Sequence, residues 1–251
     1  MAAAHSSAAI LASSSIATLC SALLCNPLDV LKTRQMTSAD ASLYETLPLV
    51  LKSEGIRAFL KGAVPALLVG AASNAVYFLL YESFKNQTAR LIGRWGFGVT
   101  AFWSRVVAVA VTIPVEVVRT RAYAGSSSEG SVGCRGVATQ VLRDTMWAFV
   151  CWQIYETLLP EDPSIFSLVL SAIVGAVAGS ALTHPLDFLK TKQQLDDKIP
   201  ENPVVGLREM WKSVGMRVVT QGLVIHCVEA AVGMLVFILI YTFLLSFDDS
   251  S

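Results

Sequence analysis

Long apolar runs alternate with short polar ones along this chain. Six runs, at residues 7–36, 64–87, 97–123, 138–159, 164–194 and 224–247, are each long enough to cross a bilayer as a helix, and none is free of charge. The polar positions recur in register. NPLDVLKTRQ (Asn26 to Gln35), IPVEVVRTRA (Ile113 to Ala122) and HPLDFLKTKQ (His184 to Gln193) share one pattern: proline, any residue, an acid, two residues, a base, one residue, a second base. Each closes an odd-numbered run. The pattern predicts a long helix bent at proline, then an acid and a base three apart on one helix face. A second pattern marks the even runs. Gly62 to Tyr81, Gly136 to Tyr155 and Gly222 to Tyr241 are each nineteen positions apart. The predicted unit is therefore a bent helix, a polar loop carrying a short amphipathic helix, a glycine turn, and a returning helix, used three times.

Small residues add a third periodicity. Ser13, Ala17 and Ser21, then Thr100, Ser104 and Ala108, then Ser171, Gly175 and Gly179 stand fourteen, ten and six positions before the three signature prolines. A spacing of four lets neighbouring membrane helices approach closely. The units are unequal. The signature prolines are 87 and then 71 positions apart, and the shortfall lies between Ala122 and Glu129, so the loop helix of the second unit is expected to be missing or vestigial. The units read as 1–90, 91–160 and 161–251.

Composition narrows the class. At 54% hydrophobic and 15% charged, the 251 residues suit a helical membrane protein rather than an ordinary soluble domain. Nineteen bases balance nineteen acids, and no basic tract suggests nucleic acid as a partner. No metal or cofactor is expected, since the five cysteines form no CxxC pair and the three histidines are scattered. No enzyme motif is present either, whether GxSxG, P-loop or HExxH, so no catalytic residues are expected. The N-terminus lacks a basic signal region and transit-peptide arginines, which makes any targeting internal. Lysine and arginine concentrate after the signatures (Lys32 to Lys61, Arg119 to Arg135, Lys190 to Arg217), which places those loops on the more negative side.

Six spanning helices in three tandem units, with Px[DE]xx[KR]x[KR] after each odd helix, resemble the mitochondrial carrier family over nearly the whole chain. The resemblance implies an all-α membrane protein: six transmembrane helices in three pseudo-threefold repeats, multi-pass in the mitochondrial inner membrane. It implies a monomer in a lipid bilayer, with cardiolipin among its lipids, that moves a small metabolite by alternating access. On that likeness Asp29, Lys32, Glu116, Arg119, Asp187 and Lys190 form a matrix gate, each acid pairing with a base of a neighbouring repeat, and Gln194 braces it. The alternative is pairing along each residue's own helix. The family's outer motif [FY][DE]xx[KR] is complete once, at Tyr81, Glu82 and Lys85. Tyr155 and Glu156 keep its first half, and Tyr241 keeps only the aromatic. One ion pair at most, or apolar packing, is then left to close the cytoplasmic side.

Family solutes bind midway along the even helices, and counting seven and eight past each glycine gives Val69 and Gly70, Arg143 and Asp144, and Glu229 and Ala230. Arg143 can fork onto a carboxylate and Asp144 can take an ammonium, or the two can neutralise each other. Arg105 is a further buried base that faces the cavity or pairs structurally. His226 and His184 read as bundle histidines rather than a proton relay. Trp147 and Trp152 can line the cavity, while Tyr77, Phe78 and Trp103 read as packing or interface anchors.

Within the family, SRVVAVAVTIPVEVVRTR, VLRD with CWQIYE, and LTHPLDFLKTK are similar to the branch of glutathione carriers and the manganese-trafficking factor. SNAVYFLLYE and IPVEVVRTRA are also similar to S-adenosylmethionine carriers. The expected solute is glutathione or another amino-acid-like zwitterion, with S-adenosylmethionine as the alternative. A reading of another class is a carrier-shaped scaffold or insertase that no longer transports.

Overall fold

The computed structural model describes residues 7–37, 43–53, 55–60, 63–124, 135–196 and 198–248, without the side chains at 7, 43–45, 53, 60, 64–66, 68–69, 111, 113–124 and 247–248. It is helical throughout, with no strand among the described residues. In chain order the elements are α1 (Ser7–Thr37), α2 (Leu43–Ser53), a 3-10 turn (Ile56–Leu60), α3 (Ala63–Ile92), α4 (Trp95–Ala124), α5 (Val137–Leu158), α6 (Ile165–Leu195), α7 (Pro203–Val214), the single turn α8 (Arg217–Thr220) and α9 (Leu223–Asp248).

The six long helices fall where the apolar runs predict. Helix α3 exceeds its run, continuing past residue 87 to Ile92, because nothing breaks it until Gly93 takes a φ of 66° and Thr88 bonds across to Thr100 on α4. The prolines do not end their helices: α1 and α6 run on through Pro27 and Pro185. Two of the expected loop helices, α2 and α7, are present. Asn202 caps α7 by accepting from the backbone N–H of Val204 and Val205, with Pro203 as the first helical residue. The shortened second loop lies outside the described residues. Gly136 (φ 74°) and Gly222 (φ 86°) supply the left-handed turns that open α5 and α9.

Each long helix packs on the next in the chain, and α9 returns to α1, so the six close into a ring. Small residues set the distances. A Cβ built on Gly175 of α6 would lie 2.5 Å from the Cys151 carbonyl oxygen of α5, so the two backbones are in contact there. Between α1 and α9, Ser21 donates to the Gly233 carbonyl at 2.9 Å and Cys25 to that of Glu229 at 3.7 Å. By length and composition α1, α6 and the Arg217–Ser246 stretch are apolar enough to cross a membrane, and Trp95–Ala110 is a shorter apolar segment. Apolar side chains such as Leu24, Trp103, Leu182 and Phe243 point outward, as a lipid-facing ring requires.

Candidate functional site

Inside the ring, toward the signature ends of α1 and α6, buried and half-buried charges gather in one layer. Lys32 is the hub. Its Nζ lies 2.7 Å from Glu229 Oε2 on α9, 3.4 Å from Asp187 Oδ2 on α6 and 3.6 Å from Asp29 Oδ1 on its own helix. Arg143 on α5 is a second hub: Nε and Nη2 donate to Asp187 Oδ1 at 3.0 and 2.7 Å, and Nη1 donates to Asp144. Lys190, also buried, acts electrostatically on both Asp187 and Asp144. One ammonium and one guanidinium thus tie four carboxylates on four helices, an arrangement that low dielectric permits only when each charge meets an opposite.

The acid of α6 therefore meets both Lys32 of α1 and Arg143 of α5 across helix boundaries. The acid of α1 also has a contact along its own helix, so both kinds of pairing expected from the sequence occur. Glu116 and Arg119 have side chains outside the described residues. Gln194 donates to Gln140 on α5 at 3.4 Å, spanning α6 and α5 next to this layer. Its neighbour Gln193 accepts a hydrogen bond from Thr139 at 2.6 Å and donates to the Pro200 carbonyl, fastening the loop before α7.

Above the layer lies a cavity in two lobes, of about 250 and 240 Å³, with Gly70, Asn74, Arg105, Trp147, Glu229 and Ala230 in the walls of both. Arg143 and Asp144 line the second lobe, while Asp29, Tyr77, Phe78, Trp152 and Phe237 line the first. Of the residues expected at the solute, Gly70, Arg143, Asp144, Glu229, Ala230 and Arg105 all reach this space. The side chain of Val69 lies outside the described residues. Arg105 differs from the other bases. It donates to Asn74 Oδ1 at 3.0 Å, lies 4.2 Å from the centre of the Tyr77 ring, and meets no carboxylate among the described residues; its Nε is buried without a hydrogen bond. Asn74 is held in turn by donating to Thr18 at 3.1 Å.

The other end of the cavity is floored by rings. Phe78 stacks on Phe237 at 5.0 Å, Trp152 meets Tyr81 at 5.0 Å and Tyr155 at 5.1 Å, and Tyr241 lies against Phe237 at 5.5 Å. Beyond the rings, Lys85 contacts Glu82 at 3.1 Å on its own helix and Glu156 of α5 at 3.7 Å, while the Tyr81 hydroxyl donates to Glu156 at 2.9 Å. The half-motif at Glu156 has lost its own base and uses that of the first unit.

Three features escaped the sequence reading. Asn74 stands one turn after Gly70 in an apolar run, a signal that was legible. The aromatic floor draws from α3, α5 and α9 and needs the ring closure to exist. The third is a contact between His184 and His226, which lie 42 positions apart.

Comparison with known proteins bears on this geometry. The family model described as "Mitochondrial carrier protein" matches residues 4–90 and 161–247. The mitochondrial S-adenosylmethionine carrier protein of Xenopus tropicalis is 28% identical over 248 residues, covering 88% of each chain. The mitochondrial glycine transporter of Xenopus laevis is 30% identical over 217 residues, covering 72% of this chain and 71% of its own. The solute carrier family 25 protein Shawn of Drosophila melanogaster is 26% identical over 188 residues, 59% of this chain and 48% of its own.

Proposed function

The chain belongs to the mitochondrial carrier family and moves a small metabolite across the inner membrane; we propose that this metabolite is an amino-acid-derived zwitterion, with S-adenosylmethionine the first compound to test. One observation carries the reading: Arg105 is a half-buried cation in the walls of both lobes of the cavity, bonded to Asn74 and in an ion pair with no carboxylate among the described residues. A solute carboxylate supplies the missing partner, because leaving a guanidinium unneutralised at membrane depth costs several kcal/mol. The α-ammonium is taken by Glu229 and Asp29, the acids in the first lobe. Tyr77, Phe78, Trp152 and Phe237 then offer ring faces to a flat base or a sulfonium. That S-adenosylmethionine and glycine appear in the names of relatives supports an amino-acid head group. Glutathione shares the head group and has no use for the rings.

On this reading the three units are 1–90, 91–160 and 161–251. The layer around Lys32 and Asp187, with Glu116 and Arg119, is the matrix gate, and Lys85 with Glu82, Glu156, Tyr81 and Tyr155 closes the cytoplasmic side. The protein works as a monomer. An apolar groove walled by Leu142, Leu186, Pro203, Val204 and Trp211, with Arg208 at its edge, receives a lipid such as cardiolipin. In liposomes the protein exchanges labelled S-adenosylmethionine, Arg105→Ala lowers the rate at least tenfold, and the exposed Arg90→Ala does not. Equal rates for Arg105→Ala and wild type would remove Arg105 from the site, and exchange of glutathione alone would replace the solute.

A further inference from the structure

Arg105 is held in the cavity wall by neutral groups, and the direction of each bond behind it is fixed. The Thr18 hydroxyl donates to the Ser14 carbonyl one turn back on α1, at 2.7 Å, so its oxygen is left to accept. It accepts from Asn74 Nδ2 on α3 at 3.1 Å. Arg105 can only donate, and its Nη1 meets Asn74 Oδ1 at 3.0 Å. Turning the amide over would set its NH2 against the guanidinium, so the two ends of Asn74 are not interchangeable here. The relay is firmly seated. Ser14 and Thr18 are buried, and a Cβ built on Gly70, one turn before Asn74, would lie 3.4 Å from Thr18 Cγ2, so α1 and α3 are in contact. Three helices, α1, α3 and α4, thus aim one guanidinium. Its other support, the Tyr77 ring 4.2 Å away, is neutral as well.

We propose that Asn74 is the positioning residue that sets the cavity's choice of a carboxylate-bearing solute: its amide oxygen orients Arg105 without neutralising it and leaves the charge for the solute to meet. The proposal rests on reading the cavity as the solute site, with Arg105 as the carboxylate contact. The carboxylates that line the cavity are already engaged elsewhere. Asp29 and Glu229 lie 3.6 and 2.7 Å from Lys32 Nζ, and Asp144, whose charge Arg105 reaches through space, accepts from Arg143. An aspartate at 74 would alter this with almost no change of shape. Its carboxylate would stand where the amide oxygen stands, beside Nη1, and cancel Arg105 internally, while the Thr18 hydroxyl would turn from Ser14 to donate to it. A solute carboxylate would then meet a neutralised pair with an anion at its edge. A solute with the same ammonium and ring but no carboxylate would lose nothing. Nitrogen against oxygen at one side chain separates the two specificities, one by leaving an attraction open and the other by adding a repulsion.

Decarboxylated S-adenosylmethionine, which lacks that one group, is the probe. In liposomes the wild type exchanges S-adenosylmethionine at least tenfold faster than the decarboxylated compound, and Asn74→Asp lowers that ratio at least tenfold. A merely structural role for Asn74 would slow both compounds alike, so an unchanged ratio overturns the proposal. Equal exchange of the two by the wild type would take the carboxylate away from Arg105 and overturn the solute reading with it. A thermal double-mutant cycle in detergent, with no solute added, tests the pairing by itself. Asn74→Asp is expected to leave the midpoint at or above that of the wild type while Arg105 is present, and to lower it in an Arg105→Gln background. Additive effects, or an Asn74→Asp protein that does not fold, would show that position 74 does not face the guanidinium and would also overturn the proposal. If the wild type carries neither compound, the solute assignment fails, while the cycle still decides whether Asn74 is what holds Arg105.

Discussion

Lys32 is the residue whose environment is least forgiving. It is 6% exposed and within 4 Å of Asp29, Asp187 and Glu229, so its removal leaves Glu229 with no cation among the described residues. Breaking a buried pair by deleting one partner costs about 3–5 kcal/mol, whereas replacing both partners by neutral groups is close to neutral. Lys32→Met alone is therefore expected to lower the thermal midpoint of the detergent-solubilised protein strongly, and adding Glu229→Gln to recover part of that loss. The double-mutant cycle is the measurement: a coupling of at least ~1 kcal/mol is expected between residues that touch. Additive effects would show that the 2.7 Å contact contributes nothing, and the layer would have to be held by Arg143 and Asp187 instead. The cycle also bears on function, because Glu229 stands in the cavity wall as well as in the charged layer. On the proposed reading, a solute ammonium that took Glu229 would compete directly with Lys32, and binding would loosen the inner mouth.

At the scale of helices, the approach of α5 and α6 sets how near Arg143 comes to Asp187. Gly175 is the tightest point, since an added methyl would meet the Cys151 carbonyl at 2.5 Å and backbone cannot step aside as a side chain can. At Gly179, one turn further, the nearest atom is Trp147 Cδ1 at 3.1 Å, the edge of a side chain that also donates to Ser180. Overpacking of this kind costs about 1–3 kcal/mol. Gly175→Ala is expected to destabilise the fold more than Gly179→Ala in a thermal-unfolding measurement, and the reverse order would mean that the helices do not approach as described. The stripe of small residues was legible in the sequence because helical packing in a membrane is periodic, and the helix spans were legible because apolar runs of spanning length admit few alternatives. Helix α6 begins one residue after its predicted start and ends one after its predicted end. The pairing of charges was only half legible. A motif gives each acid a base three positions on, but it could not place Glu229, read as a solute contact, on Lys32, nor Arg143 on Asp187. Those contacts depend on how α9 and α5 rotate about their axes, and no local pattern encodes that rotation. The histidine pair was hidden for the same reason.

Considered whole, and with the two charged ends read as gates as proposed, the molecule has two mouths closed by different physics. The inner one is ionic: Lys32, Asp29 and Asp187 are buried, with Arg143, Asp144 and Glu229 half-buried around them, and electrostatics there are strengthened where water is excluded. The outer one has a single base, Lys85, shared between Glu82 and Glu156, and these side chains keep 11–26% of their exposure, so each contact there contributes at most about 1 kcal/mol. Behind it lies the aromatic floor of α3, α5 and α9, in which each ring pair adds about 0.5–1.5 kcal/mol beyond its buried area. Trp152 takes part in four of those pairs, with Tyr77, Phe78, Tyr81 and Tyr155, and is 5% exposed. Summed over its partners, Trp152 outweighs Lys85 in holding the outer mouth shut. Lost motif charges on the second and third units are then tolerable, since the seal does not depend on them. In liposomes preloaded with labelled S-adenosylmethionine and given no exchange partner, Trp152→Ala is expected to raise efflux several-fold and Lys85→Gln by less. Efflux from Lys85→Gln as fast as from Trp152→Ala would make the outer mouth ionic after all, and would return the missing charges of Tyr155 to Leu159 and Tyr241 to Leu245 to the list of defects that need another explanation.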